Sequence, residues 1–309
     1  MEPEQNTPWQ NVIAWLKAHK ILLILSTTLF ILFIATLSIF WNLPTEQEIK
    51  DFNLQSTVRS FENFNWETKR DEPIRKVVPL AAIAEMLQKA VIISEDDTFW
   101  QHDGVNFKMM KEAWKVNWQR GRYARGASTI TMQLARNAFL SKEKTLIRKI
   151  REIIVARRME KALTKKQIFE LYLNVIEWGE NVYGAEAAAQ YHFGKSTRDL
   201  NLTEASMLAG ILPNPKRFSP FRRMETARKF QRRVLDLLVI SKVIDQETAD
   251  NAFNIPIVLR GQEIPPAPLA DSLMALQPQQ ENRDTLLTAT ISDSVTTDSI
   301  PADSDSLLQ

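Results

Sequence analysis

The chain has 309 residues, enough to bury a core of its own, with 44% apolar and 25% charged residues and a formal net charge of +2. Cysteine is absent, which excludes disulfides and thiolate metal sites, and eight glycines against eight tryptophans argue against a turn-rich β fold. The small net charge hides a segregation, because Gln262 to Gln309 holds eight acids and one base (Arg283), a balance of −7 that leaves +9 on the remainder.

Residues 1–20 are a short polar head that ends on Lys17 and Lys20. Ile21 to Phe40 follows as an almost unbroken apolar run, and about 20 residues is the length that crosses the hydrocarbon core of a bilayer. Its only polar members are Ser26, Thr27, Thr28, Thr36 and Ser38, whose hydroxyls can bond back to helix carbonyls. Phe40-Trp41-Asn42-Leu43-Pro44 offers no small-residue cleavage site of the kind a signal peptide needs. Basic residues before the run, and Glu46, Glu48 and Asp51 after it, predict a cytoplasmic N-terminus, one transmembrane helix over 21–41 and everything beyond it outside.

Residues 42–76 are charged, mixed and weakly patterned, and read as a juxtamembrane stalk. From 77 to 255 nearly every window has helical periodicity and no run alternates convincingly, which predicts a mainly α domain. Leu80, Ile83, Ala84, Leu87 and Val91 lead at helical spacing into Glu95-Asp96-Asp97-Thr98-Phe99-Trp100-Gln101-His102-Asp103-Gly104. A carboxylate held dry at such a helix end could exchange protons near neutral pH, although a solvated helix end is the plainer reading. Phe107, Met110, Trp114 and Trp118 form an apolar stripe expected in the core.

Gly121 to Ala127 is a basic loop containing Arg125 and Gly126, and it feeds Ser128 and Thr129 at the start of a predicted helix over Ser128–Leu140. Glycine and arginine ahead of a helix N-terminus suit an anion, and a plain capped helix is the alternative. In the next predicted helix, Ser141–Ala162, four-residue spacing aligns Lys144, Arg148, Glu152, Ala156 and Glu160 on one face. Ser141 to Lys166 holds ten Lys or Arg against three Glu. A solvated face, nucleic acid or a phosphate-bearing substrate would each fit that charge. The apolar span favours the last, since clustered cations stabilise a departing pyrophosphate. Thr164 and Gln167 form a capping box, and further helices are predicted at Ala185–Tyr191, Thr203–Ile211, Glu225–Ser241 and Asp245–Phe253. Over 262–309, Pro, Ser, Thr, Asp and Gln dominate, which predicts a disordered acidic tail.

Five successive blocks stand out between Val77 and Pro220: Glu95-Asp96 with Phe99, His102 and Gly104; Gly126-Ala127-Ser128-Thr129-Ile130-Thr131-Met132-Gln133 continuing to Arg136-Asn137; Arg148-Lys149 with Glu152 and Glu160; Tyr172-Leu173-Asn174 through Gly179, Tyr183-Gly184 and Ala187-Ala188; and Leu208-Ala209-Gly210 leading to Pro213-Asn214-Pro215. Their order and content resemble the peptidoglycan glycosyltransferases, which polymerise lipid II and include monofunctional enzymes and the N-terminal domains of bifunctional penicillin-binding proteins. The chain departs from that pattern at Ala127 (usually a second glycine), Met132 (usually the first of two glutamines) and Arg136 (usually lysine).

The resemblance implies a lysozyme-like, two-lobed α domain behind a single membrane helix, in the bacterial inner (plasma) membrane with the catalytic domain periplasmic. It implies inverting transfer to a β-1,4 glycan, with Glu95 as general base and Glu152 as second carboxylate, organising cations or assisting the leaving group. Arg148, Lys149, Arg136 and Arg125 would meet the pyrophosphate, while Asp96, Phe99 and His102 would shape the surroundings of the base. Gly126, Ser128, Thr129, Gln133, Asn137, Asn174 and Asn214 complete the expected substrate-binding set. Lipid II, the lipid-linked glycan strand and the membrane are the implied partners, together with transpeptidases and other wall-synthesis proteins, and nucleic acid is not among them. No cofactor is required and no protein metal site is expected, although a divalent cation, Mg or Mn, is compatible with the diphosphate. The absence of a transpeptidase signature predicts a monofunctional enzyme. A muramidase-type hydrolase, which also uses two carboxylates, and a non-catalytic wall-synthesis scaffold are the competing readings.

Overall fold

The computed structural model describes residues 7–52, 73–121, 126–140 and 145–262. Arg125, most of the predicted stalk and the acidic tail beyond Gln262 lie outside the described residues.

Helix α1 (Pro8–Ala18) precedes α2 (Lys20–Phe40), which covers the apolar run and leaves most of its described side chains exposed. The hydroxyls inside α2 bond back to the helix, with Thr28 Oγ1 donating to the Ile24 carbonyl at 2.7 Å and Thr36 Oγ1 to the Leu32 carbonyl at 2.7 Å. Extended backbone at Trp41 ends the helix, and Asn42 turns the chain through a left-handed φ of +52°. Asparagine tolerates that conformation better than branched residues do.

The first part of the predicted stalk packs on the domain. Thr45 and Glu48 form a capping box that starts α3 (Glu46–Lys50), and Leu43 and Ile49 are buried in the core. Its last part is a strand. β1 (Ile74–Arg75) pairs in parallel with β3 (Val182–Tyr183), which pairs antiparallel with β2 (Glu177–Gly179). Strands of two or three residues are too short for the alternation that reveals a strand in sequence.

The core is built from helices. Leu80–Ala82 forms a 3₁₀ turn, so α4 (Glu85–Glu95) starts later than the spacing suggested, and it buries Leu87, Ala90 and Val91. α5 (Phe107–Gln119) buries only Ala113. Its aromatic stripe is therefore outside the core: Phe107, Trp114 and Trp118 are 60%, 66% and 76% exposed, with the two tryptophans stacked at 5.6 Å. The helix docks through Ala113 together with Met110, the one member of the stripe that packs against the core, and periodicity alone does not reveal which face does so.

α6 (Ile130–Phe139) packs against α7 (Leu146–Ala162) and α8 (Lys165–Val175), each with a threonine N-cap, and α8 has the expected capping box. α9 (Ala185–Phe193) ends at left-handed Gly194. α10 (Leu202–Ile211) runs through the centre, buried from Thr203 to Ile211, with α4 and α11 (Met224–Ile240) against it. α12 (Gln246–Asn254), capped by Asp245, packs on α11.

Candidate active site

A cleft of about 1080 Å³ opens where the end of α4, the start of α6, the sheet and the α10–α11 pair meet. Glu95 is the last residue of α4, so the helix aims it into the cleft. Gln133 Nε2 donates to Glu95 Oε2 at 2.9 Å, and Gln133 Oε1 accepts from the Tyr172 hydroxyl at 3.2 Å. Burial raises the Glu95 carboxyl above its ordinary value, with Gln133 and Arg136 acting against that rise, Asp96 adding to it, and Arg233 opposing it. Burial dominates, so the group holds its proton more tightly than a free glutamate. The carboxylate nonetheless keeps an opening to the cleft.

Asp96 points the other way. It is buried, its two oxygens lie 3.0 Å from His102 Nε2, and Oδ2 accepts from the Ile130 backbone N–H at 3.0 Å. It thus ties the end of α4 to the first turn of α6, where a negative charge is favoured. Thr129 caps the same helix and donates to the Gly104 carbonyl at 2.6 Å.

On α7, Glu152 is buried and accepts from both Arg148 and, at 2.9 Å, Lys149. Lys149 Nζ also donates to Ser128 Oγ at 2.6 Å, joining α7 to the loop ahead of α6. Arg148, Ser128, Gly126, Arg136 and Asn137 line the cleft with Glu95 and Gln133.

Besides His102 and Lys149, four expected substrate contacts are not among the residues that line the cleft. Phe99 is fully buried, 5.7 Å from Phe169, with Lys165 Nζ 4.4 Å above its ring. Thr129 is spent on its cap and the Gly104 carbonyl. Asn174 is fully buried, donates to the Val78 and Glu170 carbonyls at 2.9 and 2.8 Å, and accepts from the Val78 N–H at 3.0 Å. Asn214 accepts from the Arg217 N–H at 3.3 Å, while its neighbours Pro213 and Pro215 line the cleft instead. Short polar side chains at element junctions serve the backbone, and a sequence block does not separate that duty from ligand contact.

Sequence reasoning passed over Arg75, Glu177, Lys216 and Arg233, and gave Tyr172 and Tyr183 a place in a motif block but no role in the site; all six line the cleft. Tyr172 is fully buried beneath it, and burial pushes its hydroxyl well above the usual phenol range. Arg75 and Glu177 flank Tyr183 in strand register, with Lys216 Nζ 3.0 Å from Glu177. Arg233 comes from α11, outside every block singled out in the sequence. The departure at Met132 is explained by position: its side chain is fully buried on the core face of α6, so glutamine's polar contacts have no counterpart there.

With an acid at the end of a helix, an amide holding it and arginines around it, the cleft can take a proton at one point and stabilise negative charge beside it. Residues 62–239 match the family model described as Transglycosylase. The chain is 44% identical over 161 residues to the biosynthetic peptidoglycan transglycosylase of Paraburkholderia xenovorans, covering 51% of this chain and 67% of that protein. It is 40% identical over 178 residues to the protein of the same name from Nitrosomonas eutropha, covering 56% of this chain and 73% of the relative. Penicillin-binding protein 1A of Aquifex aeolicus is 40% identical over 186 residues, 60% of this chain and 26% of that one.

Proposed function

The chain belongs to the transglycosylase family, and from that premise we propose that it is a membrane-anchored peptidoglycan glycosyltransferase that polymerises lipid II. The single observation that carries this reading is Glu95, held by Gln133 at the floor of a cleft whose nearest charged neighbours include Arg136 and Arg233.

An acceptor sugar hydroxyl is a weak nucleophile and needs a base in the transition state. Glu95 takes the proton of the acceptor 4-hydroxyl as its oxygen attacks the donor's anomeric carbon. The bond to the pyrophosphate oxygen breaks with its electron pair, and the configuration inverts to a β-1,4 linkage. Undecaprenyl pyrophosphate leaves as an anion, which Arg148, Lys149 and Arg136 stabilise by charge rather than by protonation. Arg148 and Arg136 line the cleft, and Lys149 reaches its rim through Ser128. Glu152 orients the cations of α7. It accepts hydrogen bonds from both, which suits an acceptor and not the protonated acid that glycoside hydrolysis requires. Among the described residues no group of three or more side chains suits a metal ion, so a divalent cation would be held chiefly by the substrate's diphosphate.

α2 has the length and composition of a bilayer-crossing helix, and the basic flank before it supports a cytoplasmic N-terminus with the domain outside the inner membrane. Exposed Phe107, Trp114 and Trp118 on α5 suit a domain that rests against lipid. The strand it makes must be cross-linked, so transpeptidases are the partner class the activity requires.

The test is turnover of the purified full chain on lipid II. Glycan polymer with release of undecaprenyl pyrophosphate is the expected result. Muropeptides cut from walls, with no polymer from lipid II, would replace this reading with the hydrolase.

A further inference from the structure

Two stripes of α7 lead to different places. Arg148 lines the cleft and pairs with the buried Glu152. About 60–80° round the axis from Arg148, at roughly 100° per residue, Arg151 and Arg158 share a second stripe that reaches the chain leaving α2. Arg151 Nη2 donates to the Trp41 carbonyl at 2.8 Å and the Asn42 carbonyl at 3.4 Å. Arg158 Nη1 donates to the Pro44 carbonyl at 2.7 Å and the Leu43 carbonyl at 3.5 Å. Backbone carbonyls just past a helix end lack intrahelical partners, and guanidinium forks suit them. The same turn is fixed by the left-handed Asn42 and by burial of Leu43 and Ile49.

We propose that Arg151 and Arg158 are positioning residues that lock the exit of the membrane helix to α7 and so set the height of the cleft above the bilayer. The proposal rests on reading α2 as the anchor and the cleft as a glycosyltransferase site. Its physical basis is a match of levels. A lipid-linked diphosphate lies just outside the hydrocarbon core, where Trp41 also sits at the end of the apolar span. Arg148 and Arg151 are three residues apart on one helix, about 4.5 Å along its axis. The anchor exit and the cation that meets the diphosphate are therefore held within one helical turn of each other. A freely jointed anchor would leave that alignment to chance, and a small misplacement of reacting groups costs rate steeply.

The experiment uses the full chain in lipid vesicles, comparing lipid II in the bilayer with a short-chain, water-soluble lipid II analogue. The Arg151→Ala/Arg158→Ala variant should lose turnover on the bilayer substrate by on the order of tenfold and stay near wild type on the soluble analogue. Arg151→Lys should recover part of the loss. Because the chain has no cysteine, a single label at Lys111→Cys reports depth through quenchers carried on lipid, and its depth distribution should broaden in the double variant. If the double variant fails to fold, Arg158→Gln alone carries the same comparison. Equal loss on both substrates, or no loss on either, overturns the lock. Wild-type chain that does not float with vesicles overturns the anchor reading and the lock with it, while floating chain that makes no polymer overturns the enzymatic reading instead.

Discussion

Gln133 grips Glu95 from one side, its amide nitrogen 2.9 Å from the carboxylate, while the Tyr172 hydroxyl fixes the other end of the same amide at 3.2 Å. The donor cannot turn away without breaking the tyrosine contact, so the carboxylate has a fixed direction in the cleft. Burial raises its affinity for a proton, and Gln133, Arg136 and Arg233 limit that rise. A base for a sugar hydroxyl works best with its proton affinity brought up toward the working pH.

Glu95→Gln should abolish most polymerisation, by about 10²- to 10⁴-fold, and should stabilise the fold at neutral pH. The sign follows from linkage. The folded carboxyl has its pKa raised, so the stabilisation due to protonation is fully present below the unfolded value and is lost as pH rises through the raised folded value. A neutral amide never suffers that loss. Thermal melts at pH 7 should place the variant above wild type, with the gap closing in acid, and a variant that melts lower at pH 7 would contradict the burial argument.

The acidic limb of kcat/KM against pH should lie above the ordinary carboxylate range, because only ionised Glu95 accepts a proton. Gln133→Ala removes a donor that favours the ionised form, and Arg233→Ala removes a charge that does the same. Both should move the limb to higher pH, and Arg136→Ala should move it the same way while also weakening the grip on pyrophosphate. A profile that stays put in all three would take Glu95 out of the role of base.

Arg148→Ala and Asn174→Ala should fail in different ways. Removing Arg148 leaves buried Glu152 with Lys149 alone and takes a cation from the cleft, so turnover should fall at least tenfold, about 1.4 kcal/mol of transition-state stabilisation. Removing Asn174 strands the Val78 N–H and carbonyl, at about 1–3 kcal/mol for each buried group left unsatisfied. Its signature should be a lower Tm with KM close to wild type in the folded fraction.

The reach of the sequence follows from what each signal depends on. Helices with long apolar periodicity and polar caps were legible, and so was the acidic residue at the end of α4, because these are local properties. The sheet was not, since its strands have two or three residues and β1 finds β3 across more than a hundred positions. The orientation of α5 is not legible, because a stripe of aromatics at helical spacing looks the same whether it faces a core or away from it. Phe99 and Asn174 read as candidates alongside Glu95 because a sequence motif names a residue type without showing whether ligand, core or backbone uses it. Arg233 was invisible for the opposite reason: it reaches the cleft only through the packing of α11 on α4 and α10.

That packing gives the sharpest structural test. Gly210 on α10 lies so close to α11 that a Cβ there would sit 2.8 Å from the Gln231 nitrogen and 2.8 Å from the Phe230 carbonyl carbon. Both are backbone atoms, so neither can swing aside as a side-chain tip would. Gly210→Ala must push the two helices apart, at about 1–3 kcal/mol, a Tm loss of roughly 2–4 °C per kcal/mol for a domain of this size. Arg233 and Phe230 travel with α11, so the cleft wall moves as well. The expected result is a lower Tm together with a shift of the acidic limb toward higher pH, as Arg233 loses its hold on Glu95. Gly104→Ala provides the control. It is strained by a φ of +82° and would meet Glu160 Cγ at 2.9 Å and the Ala156 carbonyl oxygen at 3.0 Å, both on α7 and not α11, so it should lower Tm and leave the limb where it is. If both variants moved the limb equally, the shift would report general loosening and not the position of Arg233.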